Sequence, residues 1–139
     1  MEEENLAMKA SRGSWAAVQA GDKDAWLALM HDDVCMEDPI GKGPTNPTGE
    51  GVQGKAAVAE FYDKNMGPAK IVVETEESFP SASPYEAAHI LTLHTPLPNG
   101  VVTHVRGDFT YRTDPAGLIT NLRGFWHMGV MRFDQPDAK

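Results

Sequence analysis

The chain has little of what would staple it, export it or make it positive. It has one cysteine, Cys35, among 139 residues, so no internal disulfide can form, and no Cys/His pair stands at zinc-ligand spacing. A reducing cytoplasm suits such a chain. No stretch nears the roughly eighteen apolar residues of a membrane-spanning helix. The first ten residues, MEEENLAMKA, are acidic where an export signal is basic, and they lack its apolar run. Basic residues are outnumbered, 12 Lys and Arg against 20 Asp and Glu, which gives a net charge of −8. They are scattered as well, which argues against a nucleic-acid surface, because neutralising phosphates takes clustered cations. P-loop, Rossmann and GxSxG fingerprints are missing, as are internal repeats and low-complexity segments.

What is present reads as one domain over residues 1–139, with 41% hydrophobic and 23% charged residues. At this length folding buries roughly 68–70% of the unfolded chain's surface, enough for a core without metals or disulfides. From Leu6 to Ala20 the small and apolar residues Leu6, Ala10, Gly13, Ser14 and Ala17 recur at helical spacing, and Gly21 stands where a C-cap glycine belongs. Asp22 can cap a second helix, DKDAWLALM, with Trp26, Leu29 and Met30 facing in before HDD ends it. Residues 34–38, VCMED, then alternate, so Val34, Met36 and Asp38 share one face while Cys35 and Glu37 share the other. Pro39 keeps Asp38 extended by disfavouring the helical region for the residue before it. The turn-rich segment GKGPTNPTGEGVQG is long enough to border a pocket. A third helix is predicted from Lys55 to Asn65, with Val58, Phe61 and Tyr62 on one side, Gly67 as its stop and Pro68 beyond.

The second half reads as four strands, KIVVETEESF, AAHILTLHTPL, VVTHVRGDFTYR and LITNLRGFWHMGVMRF, separated by Pro- and Gly-containing turns. Helices first and a meander after them predict an α+β domain whose curved antiparallel sheet packs its concave face on the helices. In the third strand Val101, Thr103, Val105, Gly107, Phe109 and Tyr111 face in, and Arg106, Asp108 and Arg112 face out. In the last, Leu118, Leu122, Gly124, Trp126 and Met128 face in. His89 and His94, five residues apart on a strand, point to opposite faces, and His31, His104 and His127 form no evident ligand set. All five histidines read as surface or interface residues.

Three segments in this order, AAVQAGD, DDVCMEDPIG and GKAAVAEFYDKNMG, followed by AGLITNLRGFWHM, give nearly the whole chain a resemblance to the steroid Δ5-3-ketoisomerases of the NTF2-like or SnoaL-like superfamily. The resemblance implies a cone of three N-terminal helices on a curved mixed or antiparallel sheet, a homodimer formed through the outer sheet face, and a deep apolar pocket for a small steroid-like ligand, with no cofactor and no metal. It also implies the chemistry: an aspartate base beside an oxyanion hole of a tyrosine and a protonated aspartic acid. Asp38, in EDP, matches the base. It would move a proton from C4 to C6 of a 3-oxo-Δ5-steroid through a dienolate. A carbonyl's α-proton yields to a carboxylate only when the enolate oxygen is stabilised as its charge develops, so base and donors are both required.

The donors depart from that pattern. Seven residues before the glycine of AGD, where the isomerases place their tyrosine, stands Ser14. Gly107 falls at the protonated acid, with Asp108 turned to the opposite face. Met30 replaces one supporting tyrosine, and Tyr62 matches the other. The expected site is therefore Asp38 with Tyr62 and Ser14, walled by Trp15, Met30, Phe61, Phe109, Leu122 and Trp126. Trp126 can also serve as an inward donor, and the Ser14 hydroxyl can bond back to its own helix. Two other functions share this scaffold, a SnoaL-like polyketide cyclase and a non-catalytic steroid or lipid binder. An epoxide hydrolase is disfavoured, since no Asp/Arg/Asp set assembles on the inward faces.

Overall fold

The structure, a computed structural model, describes residues 5–67 and 69–134; the predicted helix-stopping Pro68 lies outside them. Helix α1 (Leu6–Ala20) starts at Asn5, whose side chain accepts from Met8 N at 2.9 Å and donates to the Ser83 carbonyl at 3.0 Å. The cap thus ties the helix to the far sheet. Gly21 ends α1 in the left-handed region at φ 69°, a geometry that costs glycine nothing. Asp22 then accepts from Ala25 N at 3.0 Å and opens α2 (Lys23–Ala28).

Helix α2 is shorter than predicted, because Met30 leaves it and begins strand β1 (Met30–Glu37), opposite Ile119. Local periodicity favoured helix there, but pairing with a strand some ninety residues away decides the outcome. A two-residue strand β2 (Val52–Gln53) precedes α3 (Lys55–Phe61), which runs on as a π-helical turn from Tyr62 to Met66. The meander follows as β3 (Val72–Pro80), β4 (Glu86–Pro96), β5 (Val102–Thr113) and β6 (Ile119–Phe125).

The last predicted strand is in fact two elements. It breaks after Phe125, turns through a 3-10 segment at Met128–Val130 and returns as β7 (Arg132–Asp134), antiparallel to β5. The order β2-β1-β6-β5-β4-β3 is antiparallel throughout except for the parallel β1/β6 pair, so the sheet is mixed. An irregularity in the β5/β6 register at Thr113 puts Ile119, fully buried, on the core side in place of the expected Leu118. The β4/β5 ladder shows no such shift from Glu86/Arg112 to Pro96/Val102. Asp108 therefore stays on the outer face.

The helices cover one end of the concave face with a core that includes Trp26, Val34, Val58, Leu91, Ile119 and Leu122. Beside this core a cavity remains, lined by the helices on one side and the concave face of the sheet on the other.

Candidate active site

The cavity has a volume of about 540 Å³, within the range of roughly 300–1,000 Å³ in which proteins hold small organic ligands. Its walls are mostly apolar, among them Val18, Phe61, Leu91, Leu93, Val105 and Leu122. Asp38 brings a carboxyl into this lining. Asp38 is half-buried. Burial raises its pKa above the ordinary carboxylate range, and a hydrogen bond from the Trp126 indole, Nε1 to Oδ1 at 2.6 Å, pulls it back part of the way.

Two glycines shape the space around this pair. A Cβ on Gly124 would sit 2.9 Å from Asp38 Oδ1 and 2.8 Å from the Phe109 ring, so only glycine lets the carboxylate lie over β6. A Cβ on Gly107 would meet the Phe125 carbonyl oxygen at 2.7 Å and Trp126 Cβ at 3.2 Å. The turn that delivers Trp126 to Asp38 thus closes over Gly107. Behind Asp38, Asn46 organises the loop: its amide donates to the Pro39 and Gly41 carbonyls at 2.8 and 3.0 Å, and its oxygen accepts from Gly51 N at 2.9 Å. The Thr45 hydroxyl donates to the Asp38 carbonyl, and Pro44 and Thr45 border the cavity as the loop composition predicts.

A second polar group in the cavity lies on the inward face of β5, where its alternation alone does not distinguish it from a core aromatic. Tyr111 lines the cavity, and its hydroxyl oxygen accepts from Trp15 Nε1 at 3.0 Å. Burial, with Asp38 adding to it, moves the phenol far above its ordinary pKa, opposed by hydrogen bonds from Trp15 and Ser14. Tyr111 is therefore protonated at any physiological pH. With Trp15 donating to its oxygen, its own O–H remains available to donate. Ser14 is buried, and its hydroxyl accepts from Trp26 Nε1 at 3.0 Å rather than bonding back to its own helix. In α1 it is Ser11 that does so, to the Ala7 carbonyl at 2.6 Å.

Of the expected site residues, Asp38, Ser14, Trp15, Phe61, Phe109, Leu122 and Trp126 come together around the cavity. Met30 and Tyr62 do not reach its lining. Met30 is buried as the first residue of β1, and the Tyr62 ring packs on Trp26 with centroids 5.5 Å apart. His89 also departs from expectation. It is fully buried, with Nδ1 2.7 Å from Ser78 Oγ and Nε2 2.9 Å from Ser11 Oγ, and its ring meets the Trp15 and Tyr111 rings edge-on. Desolvation lowers its pKa to about 4. Glu37, on the outer register, pairs with Arg123 at 3.0 Å.

A cone of helices and curved sheet, closed around an apolar cavity with an inward carboxylate, defines an NTF2-like small-molecule pocket. Residues 12–134 match the SnoaL-like domain. The steroid Delta-isomerase of Nocardioides simplex is 31% identical over 123 residues, which cover 83% of this chain and 85% of that protein. The crystal structure of a Delta 5-3-ketosteroid isomerase from Mycobacterium sp. shares 58% identity at a TM-score of 0.91, covering 94% of this chain and 99% of that one. RV0760c from Mycobacterium tuberculosis, solved in complex with estradiol-17beta-hemisuccinate, shares 52% identity at a TM-score of 0.91, covering 94% and 100%. The chain belongs to the SnoaL-like family, among the ketosteroid isomerases of the NTF2-like superfamily.

Proposed function

We propose that the protein is a steroid Δ-isomerase that uses no cofactor. One observation carries this reading: the Asp38 carboxyl, held by Trp126, faces an apolar cavity large enough for a steroid. Asp38 removes a C4 proton from a 3-oxo-Δ5-steroid and returns it to C6. Burial leaves the carboxylate more basic than in water, which suits a base that must both take and return a proton. Tyr111 donates to the 3-oxo oxygen as negative charge grows there. The hydrogen bond from Trp15 to its phenolic oxygen polarises its O–H, so the proposed donor sits on β5 and is supported from α1. The relatives' names, a steroid Delta-isomerase and a Delta 5-3-ketosteroid isomerase, support the same assignment.

The test is enone formation from 5-androstene-3,17-dione, followed by absorbance. Turnover is expected, and Asp38→Asn lowers it by about 10²- to 10⁴-fold, the usual contribution of a positioned base. Normal turnover by that variant excludes Asp38 as the base. The crowding at Gly107 favours a second reading, a steroid binder without catalysis, because the family's acidic donor has no room there. Tight equilenin binding with no turnover supports the binder, and any Asp38-dependent turnover rules it out.

The expected homodimer belongs to the same proposal. Phe79 and Phe125, 46% and 49% exposed, border a shallow groove on the sheet with Ala88 and Thr110. Burying them against a second copy removes that apolar surface from water. Sedimentation at micromolar concentration checks it, with the mass of two chains expected and dissociation on Phe125→Asp.

A further inference from the structure

Two histidines meet on the outer face of the sheet, which the cavity does not use. His94 on β4 and His104 on β5 are direct cross-strand partners, with Nδ1 atoms 2.6 Å apart. Behind each ring stands a carboxylate: Glu74 Oε1 lies 2.9 Å from His94 Nε2, and Asp134 Oδ2 lies 2.7 Å from His104 Nε2. Four side chains from four strands thus form one line, Glu74–His94–His104–Asp134.

Proton counting gives this line its meaning. A carboxylate only accepts, so each Nε2 carries the hydrogen. A neutral imidazole protonated at Nε2 keeps a lone pair at Nδ1, and two such lone pairs would face each other across 2.6 Å. Some positive centre must lie between or beside them, either a shared proton or a metal cation. A carboxylate behind the far nitrogen is also what commonly fixes the tautomer of a metal-bound imidazole and raises its basicity.

We propose that His94 and His104 bind a divalent transition-metal cation of the Zn²⁺ or Cu²⁺ type through their Nδ1 atoms, with Glu74 and Asp134 as positioning carboxylates. With bonds of about 2.0–2.1 Å the two nitrogens stand about 3.3–3.4 Å apart on a tetrahedral Zn²⁺ and about 2.9 Å apart at the right angle of a square-planar Cu²⁺, so the rings separate by about 0.7 Å for the first and about 0.3 Å for the second. The described residues hold no group of three or more ligating side chains, and water completes the coordination shell. The His94 and His104 side chains are 27% and 13% exposed and the Glu74 and Asp134 side chains 60% and 70%, so the line opens to solvent at its two ends. The two carboxylates and the chain's net charge of −8 favour a cation there.

The test uses the full chain, free of any purification tag and stripped with EDTA, titrated with ZnCl₂ by calorimetry and with CuCl₂ by visible absorbance. One cation per chain is expected at micromolar concentration, weakened at least tenfold by His94→Gln or His104→Gln, and about 10- to 100-fold by Glu74→Gln. Equilenin binding should be unchanged in all three variants, which confirms that they fold. Absence of binding at millimolar Zn²⁺, or binding undiminished when both histidines are replaced, overturns the proposal. So does a far-downfield proton shared between the rings that Zn²⁺ leaves in place.

Discussion

Asp38 and His89 are buried ionisable groups on the same side of one sheet, and burial favours the neutral form of each. The surroundings differ. Both His89 nitrogens have hydroxyl partners, and two aromatic rings close around it. Asp38 has the Trp126 indole on one oxygen and opens on a cavity. At His89 the polarity is satisfied within the protein, so it serves the fold. At Asp38 much of it is left open toward the cavity, which suits the role of base proposed for it.

The linkage signs are opposite. Asp38 has a folded pKa raised above its unfolded value, so its contribution to stability is present at low pH and lost as pH rises through the folded pKa. His89 has a folded pKa of about 4 against 6.5, so the unfolded chain binds the proton more readily, and stability is lost as pH falls from about 6.5 through 4.

The contrast can be broken at several points. Beyond the base itself, the largest effect is expected from Tyr111→Phe, which removes the proposed donor to the ketone and should cost kcat about 10²- to 10³-fold, the usual loss for one such donor. Equilenin binding measured alongside separates a lost donor from a lost pocket. Gly124→Ala, which crowds both Asp38 and Phe109, should destabilise by about 1–3 kcal/mol in urea denaturation and lower turnover as well. Asp38→Asn, besides its loss of turnover, should raise the urea midpoint at pH 8, since it removes a buried charge the fold does not need. Trp126→Phe removes the hydrogen bond that lowers the Asp38 pKa, so the acid limb of the kcat/KM profile should move to higher pH. The smallest effect is expected at His89. His89→Asn should flatten the loss of stability between pH 6.5 and 4 and leave the pH–rate profile unmoved.

What the sequence discloses follows the range of the interaction that fixes each residue. The inward placement of Asp38 is legible because alternation over five residues and a following proline are local signals, whereas its role as a base comes only from the resemblance; Gly21 and Asp22 are legible as caps for the same local reason. Met30 was misplaced because a partner across the sheet outweighed its helical context. Tyr111 fell on the inward register, but its importance comes from Trp15, 96 positions away. Trp126 was expected as wall or donor to a ligand, yet it donates to Asp38, 88 positions away. His94 and His104 read as separate surface or interface residues, because only strand pairing brings their rings together.

The closeness of the Phe125 carbonyl to Gly107 bears on any attempt to rebuild the family's donor by engineering. Gly107→Asp would bring a backbone clash along with its carboxyl. The Phe125–Trp126 turn would have to be redrawn first, and that turn also holds Asp38. Reversion at this position is therefore not a single step, and the intermediate designs would lose the proposed base before they regained the acid.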